Sequence, residues 1–160
     1  RLDYTKQILQ LITMLNDKGE NIPFVILSRD LLDKSYQRKN IHYFHNLDDK
    51  LVNQIYSKCC CVISIGTSES HGLTVVEAHS MGKPVIVWHA TEALTEKVQH
   101  EKNGLISNSL EEVIIQMKQI IAGDVKFDSP ETISQKVAAY DNLLFSREFS
   151  NFLLNEITPP

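Results

Sequence analysis

Short apolar runs alternate with amphipathic stretches along nearly all of this 160-residue chain, and that alternation restricts its fold more than any other feature. Ile8, Leu9, Ile12 and Leu15 recur at helical spacing, so residues 4–18 read as a helix ended by Gly19. Residues 22–27, interrupted early by Pro23, read as a buried strand, and residues 41–44 as a second. Asn46 is expected to cap a helix reaching Ser57, with Leu51, Val52, Ile55 and Tyr56 as its apolar stripe. A third strand is expected over 60–65, then a helix over 72–81 ended by Gly82. A fourth strand opens on Pro84 and runs to Trp88; a helix around 91–99 follows, then the turn Asn103-Gly104 and a short strand at Leu105-Ile106. Ser109 and Glu112 make a capping box ahead of Val113, Ile114, Met117, Ile120 and Ile121, and residues 130–157 read as one or two further helices.

Strands that alternate with helices imply βαβ units with right-handed crossovers, hence a parallel sheet covered on both faces. The expected fold is α/β, a Rossmann-like three-layer sandwich forming one domain over residues 1–160. A helix pattern begins almost at residue 1, so the leading strand usual in such a sheet is missing and the chain is expected to be a fragment. A formal charge of −4 gives no general reason to expect nucleic-acid binding, and no apolar run approaches the roughly 18–20 residues that span a bilayer. The consecutive Cys59, Cys60 and Cys61 lack the spacing of a zinc site. They read as small buried residues at the start of a strand, in keeping with a reducing cytosol.

In an open parallel sheet, ligands bind outside the carboxyl ends of the strands. The segment 66–77 falls at such an end and holds an ordered set: Glu69, His71, Gly72, Leu73, Thr74 and Glu77, followed by Gly82-Lys83-Pro84-Val85-Ile86. Eight residues of helix rise about 12 Å, so Glu69 and Glu77 would not share a metal ion. Glu69 is expected in the loop and Glu77 on the second turn of the helix, each meeting a different part of one extended ligand. Gly72 allows close backbone approach, and the first-turn N–H groups of Gly72, Leu73 and Thr74 offer an anion site at a positive helix end. Carboxylates repel phosphate but accept hydrogen bonds from vicinal hydroxyls, so a phosphorylated, polyhydroxylated ligand fits the set. Arg1 and Lys6 are the candidate partners for its phosphate charge.

Other groups fit simpler explanations. Asp48 and Asp49 read as dipole-compensating acids of a first turn. The histidines 42, 45, 71, 79 and 89 are too dispersed for a metal site, although His71 is placed to donate to a phosphate or sugar hydroxyl. Ser68 and Ser70 lack a Gly-x-Ser-x-Gly elbow, and no dinucleotide fingerprint is present.

These motifs, in this order, resemble the C-terminal, donor-binding half of the GT-B-fold retaining glycosyltransferases of family 4. The family's E-x7-E signature is matched by Glu69 and Glu77, and its following strand entry by residues 78–86. Its Arg-Leu-x3-Lys segment is matched by Arg1, Leu2 and Lys6, and its Asn-Gly-Leu-hydrophobic element by residues 103–106. The resemblance covers residues 1 to about 121. His71 replaces the usual aromatic, Ser28-Arg29-Asp30 a Gly-x-Gly, and Ala90-Thr91-Glu92 a Gly-Gly loop.

The resemblance implies a metal-independent hexosyltransferase with no cofactor, whose donor is a UDP- or GDP-sugar and whose acceptor is a sugar or a lipid-linked sugar. Arg1 and Lys6 would hold the donor diphosphate, Glu77 the ribose hydroxyls and Glu69 the hydroxyls of the transferred sugar, with the Gly72-Leu73-Thr74 backbone facing the phosphates. It further implies an acceptor-binding N-terminal domain missing from this chain, so that the chain alone binds donor weakly and is inactive. A cytoplasmic location is expected, with membrane contact only through the full-length enzyme, in glycan or cell-surface polysaccharide synthesis. Alternatives are a nucleotide-sugar epimerase of the same superfold and a non-catalytic nucleotide-binding module.

Overall fold

The computed structural model describes residues 2–28, 39–66 and 71–137, with side chains from Lys6 onward. The order of elements is α1 (Leu2–Asp17), β1 (Phe24–Ser28), β2 (Ile41–His45), α2 (Asp49–Lys58), β3 (Val62–Ser64), α3 (Leu73–Ser80), β4 (Val85–Trp88), α4 (Glu92–Thr95), β5 (Gly104–Ser107), α5 (Leu110–Ala122) and α6 (Pro130–Val137). Residues 138–157 of the helical region expected over 130–157 lie outside the described residues.

Every strand pairing is parallel. β1 pairs with β2, Phe24 opposite Ile41 and Ser28 opposite His45. β4 lies between β3 and β5, with Ile86 opposite both Ile63 and Leu105. The described strands thus form a two-stranded and a three-stranded sheet, in the order β1-β2 and β3-β4-β5. One apolar cluster joins the two: Phe24, Ile26 and Ile41 pack with Ile65 and Ile86 under Leu11, Ile12 and Leu15 of α1 and Leu110, Val113, Ile114 and Met117 of α5. A second cluster, Val75, Ala78, Val85, Val87, Leu94 and Val98, fills the layer beneath α3 and α4. Alternation along β4 explains the split, because successive strand residues point to opposite faces: Ile86 enters the first cluster, Val85 and Val87 the second. The result is α/β with helices on both faces of parallel sheets, as the periodicity predicts.

Local differences from the sequence reading have identifiable causes. α2 is capped by Asp48, which accepts a hydrogen bond from the N–H of Leu51 at 2.8 Å, and not by Asn46. Asp48 has the extended backbone an N-cap needs, whereas Asn46 is left-handed (φ 50°) and turns the chain out of β2. β1 begins at Phe24, two residues later than expected; Asn40 donates its side-chain amide to the carbonyl of Ile22 at 2.8 Å and holds that segment outside the ladder. α4 is a single turn, not a helix over 91–99. Beyond it the side chain of Asn103 organises the loop, accepting from the N–H of Gln99 at 2.7 Å and donating to the carbonyl of Lys97 at 3.2 Å.

β3 is also shorter than expected, starting at Val62, where the ladder with the Pro84 carbonyl begins at 3.0 Å. The three cysteines therefore stand in the connection before it, and the expectation that they are buried is corrected: Cys60 is exposed, Cys59 and Cys61 half-buried. The capping box of α5 is present in altered form. The hydroxyl of Ser109 accepts from the N–H of Glu112 at 3.1 Å, but Glu112 reaches back to the N–H and side-chain amide of Asn108, at 2.7 and 3.0 Å. These hydrogen bonds hold the Glu112 carboxyl below the usual range.

Candidate functional site

All strands being parallel, the carboxyl ends of β3 and β4 lie on one edge of the sheet, and the loops that follow them meet there. The loop after β3 leads through the buried Gly66 to His71, Gly72 and the start of α3. The loop after β4 carries Thr91, whose buried hydroxyl donates to the Gly66 carbonyl at 2.8 Å. The N–H of His89 donates to the carbonyl of Ser107 at 2.8 Å, tying the same loop to β5. These two bonds fix the loops of three neighbouring strands against one another.

Gly72 is the N-cap of α3, in a left-handed conformation (φ 59°), and has no side chain of its own with which to cap the helix. Its carbonyl accepts from the N–H groups of Val75 and Val76 at 3.0 and 3.2 Å, so the helix starts on it. Gly72 is buried, and a Cβ there would stand 2.5 Å from the Ala93 carbonyl oxygen and 3.3 Å from Cδ of Lys97. The close approach this glycine permits is therefore to α4, a structural use that the sequence did not reveal. Leu73, the first residue of the helix, is 62% exposed beside this terminus, Thr74 is half-buried and His71 exposed.

α1 leads into β1 and packs against α5. Lys6, on the exposed side of α1, is about 6 Å along the axis from Leu2, at a rise of 1.5 Å per residue. Arg1 and Glu69 lie outside the described residues, as do Ser68, Ser70, Arg29 and Asp30.

Glu77 is exposed on the second turn of α3, where the spacing places it. Its carboxylate has a neighbour that pattern reading missed. The buried phenol of Tyr56, on α2, stands close enough to feel its charge, and the Tyr56 pKa is pushed up to about 12, by burial first and by the Glu77 charge next.

Two features that look chemical in sequence are architectural in the structure. His79 is buried on α3, and its Nε2 donates to the Asn103 carbonyl at 3.0 Å; burial lowers its pKa and keeps the ring neutral. Asn103-Gly104 is needed for packing: the Asn103 side chain is shared between Gln99 and Lys97, and a Cβ on Gly104 would collide with the Val85 carbonyl. Among the described residues, no three His, Cys, Asp or Glu side chains are grouped to hold a metal ion.

An α/β layer of this kind, with a helix start at the carboxyl edge, has the fold of one half of a GT-B glycosyltransferase. The chain resembles WaaB, a lipopolysaccharide outer core galactosyltransferase, in its apo form, with TM-score 0.63 and 16% identity over 78% of this chain and 37% of that one. It also resembles Anabaena Alr3699/HepE in complex with UDP (TM-score 0.61, 21% identity, 96% of this chain and 37% of that one). A second HepE structure, with UDP and glucose, gives TM-score 0.64 and 16% identity over 91% of this chain and 52% of that one. This chain therefore spans about a third to a half of the length of these structures. No curated protein matches it. The family model for glycosyl transferases group 1 matches residues 1–136, and the chain belongs to that family.

Proposed function

We propose that this chain is the donor-binding half of a retaining, metal-independent glycosyltransferase of family 4, which moves a hexose from a nucleoside-diphosphate sugar to a sugar or lipid-linked acceptor. The observation that carries the proposal is the start of α3: a helix terminus that opens on left-handed Gly72 at the carboxyl edge, with Glu77 one turn further on. First-turn N–H groups and the positive helix end attract a diphosphate. Lys6 and Arg1 add full positive charge from the N-terminal end of α1. The HepE structures, of the same fold, hold UDP, which favours a uridine nucleotide over GDP.

Each residue then has a role. Lys6, Arg1 and the Gly72-Leu73-Thr74 backbone stabilise the negative charge that grows on the leaving diphosphate as the glycosidic bond breaks, which is where a preorganised site contributes most. Glu77 accepts hydrogen bonds from the ribose hydroxyls. Glu69 accepts from hydroxyls of the transferred sugar, and His71 donates to a phosphate or hydroxyl oxygen. The exposed Leu73 gives the ligand an apolar surface beside its charged one. The acceptor site belongs to the other half of the enzyme, which works in the cytoplasm in glycan or cell-surface polysaccharide synthesis, and no cofactor takes part.

Calorimetry with UDP, UDP-glucose and GDP tests the proposal. Wild type is expected to bind the uridine nucleotides weakly, and Glu77→Ala about tenfold more weakly, since a lost hydrogen bond to a charged group is worth about 1.5 kcal/mol. A folded wild type that binds none of the three, or equal binding by Glu77→Ala, contradicts the assignment.

A further inference from the structure

Among the described residues β5 ends the three-stranded sheet, with β4 on one side of it. Asn103 and Ser107 give their carbonyls to the N–H groups of Val85 and His89 at 3.2 and 2.8 Å, so these residues face β4. Main-chain groups alternate in direction along a strand, and Gly104, Ile106 and Asn108 therefore direct theirs outward. Each has a partner there that is not a further strand. Gly104 forms a single parallel bridge with His100, and its carbonyl accepts from the N–H of Glu101 at 2.8 Å. The N–H of Ile106 donates to Nδ1 of His100 at 3.1 Å, and the Ile106 carbonyl accepts from the side-chain amide of Gln116 at 3.3 Å. The N–H of Asn108 donates to the Glu112 carboxylate at 2.7 Å. Gln116 is buried and accepts in turn from the Ser107 hydroxyl at 2.5 Å, whereas His100 is exposed. An open cavity of about 610 Å³ runs past this edge, lined by His100, Glu112, Gln116 and Ile115, the last 56% exposed.

We propose that His100, Gln116 and Glu112 close the outer edge of β5 against pairing with β5 of a second copy of this chain. Unpaired N–H and C=O groups on an outer strand are a template for another strand, and here three side chains occupy them. A second copy is the partner this edge fits, because a two-fold axis sets the same residues opposite one another. Ile106 directs both its N–H and its C=O outward, and two such residues exchange both bonds in an antiparallel hydrogen-bonded pair. With the edge open, Ile106 of one copy pairs with Ile106 of the other, and the exposed Ile115 beside it adds apolar surface to the contact. His100 is the decisive group. It is exposed, so its removal frees the Ile106 N–H without emptying the core.

Two readouts on the intact chain test this. H100A removes the acceptor, while H100N sets Oδ1 at the reach of the lost Nδ1 and restores it. Hydrogen exchange, followed amide by amide in ¹⁵N spectra of dilute protein, should show Ile106 about tenfold faster in H100A than in wild type. H100N should return it to the wild-type rate, and Leu105, which faces β4, should not change in either variant. Sedimentation velocity over a range of concentrations reads the pairing. Wild type and H100N should keep one sedimentation coefficient, whereas H100A, and H100A/Q116L at lower concentration, should shift to a dimer in which the Ile106 amide is slow again. A wild type that already pairs at Ile106, an H100A that keeps the wild-type Ile106 rate, or one that frees this amide and stays monomeric overturns the proposal. So does a dimer in which Ile106 still exchanges fast, since its contact then lies elsewhere. Should H100A/Q116L not fold, H100A and H100N decide it.

Discussion

Replacing Gly72 by alanine separates two contributions that this structure combines at the start of α3. The first is conformational, since a left-handed backbone (φ 59°) costs an L-residue about 1–2 kcal/mol. The second is steric: the new Cβ meets the Ala93 carbonyl at 2.5 Å, backbone that yields only if α4 moves. Forcing a methyl group into such a contact costs about 1–3 kcal/mol, so the sum is about 2–5 kcal/mol, out of the roughly 5–15 that hold a domain folded. Gly19 is the internal control, with the same left-handed backbone (φ 66°) and open space, nothing within 4 Å, where its Cβ would stand. Gly19→Ala should therefore lose only the first contribution. Urea unfolding followed by circular dichroism reads both, and with a slope of about 2 kcal/mol per molar the two midpoints should differ by about 0.5–1.5 M. Equal losses would refute the packing of Gly72 on α4, and with it the bracing of the α3 terminus by the loop after β4.

Three further outcomes follow from the same geometry. Asn103→Ala leaves the Gln99 N–H and the Lys97 carbonyl without their partner and should cost about 2–4 kcal/mol in urea unfolding, whereas Asn103→Asp keeps the acceptor and should cost less. His79, with its pKa lowered by burial, is protonated more readily in the unfolded chain, so its contribution is present above about pH 6.5 and is lost as the pH falls below that. The slope of stability against pH below 6.5 should diminish in His79→Gln, and an unchanged slope would exclude His79 as its source. In a double-mutant cycle, Tyr56→Phe and Glu77→Gln should couple by about 0.5 kcal/mol or more at pH 7, and additive losses would contradict the interaction of the Glu77 charge with the phenol.

Local periodicity made most of the fold legible. Of the positions read at helical spacing, Ile12 and Leu15 of α1 and Val113, Ile114 and Met117 of α5 are buried, while Ile8 and Leu9 are half-buried beside them. The strand at residues 85–88 reads as apolar throughout because both of its faces are covered. What was illegible depends on partners distant in sequence. Asn103 ends the helical course after α4 through contacts with Gln99 and Lys97 that propensity does not encode. The Tyr56 phenol meets Glu77 from another helix, and the apolar stripe of α2 recorded only the ring. Cysteine was read as buried from its usual habit, but the ladder begins at Val62 and leaves Cys60 at the surface. At the candidate site, pattern reading found the helix terminus and the position of Glu77 but not why residue 72 is glycine, since Ala93 lies 21 residues on.

The most direct test of a diphosphate at the α3 terminus is residue-resolved. Backbone amide spectra of the ¹⁵N-labelled chain, titrated with UDP, report each N–H separately. The amides of Gly72, Leu73 and Thr74 are predicted to shift and saturate together, Lys6→Ala should weaken that titration, and uridine alone should leave those amides largely unmoved. Saturable shifts confined to other elements, or equal shifts with uridine and UDP, would contradict a phosphate site at the start of α3.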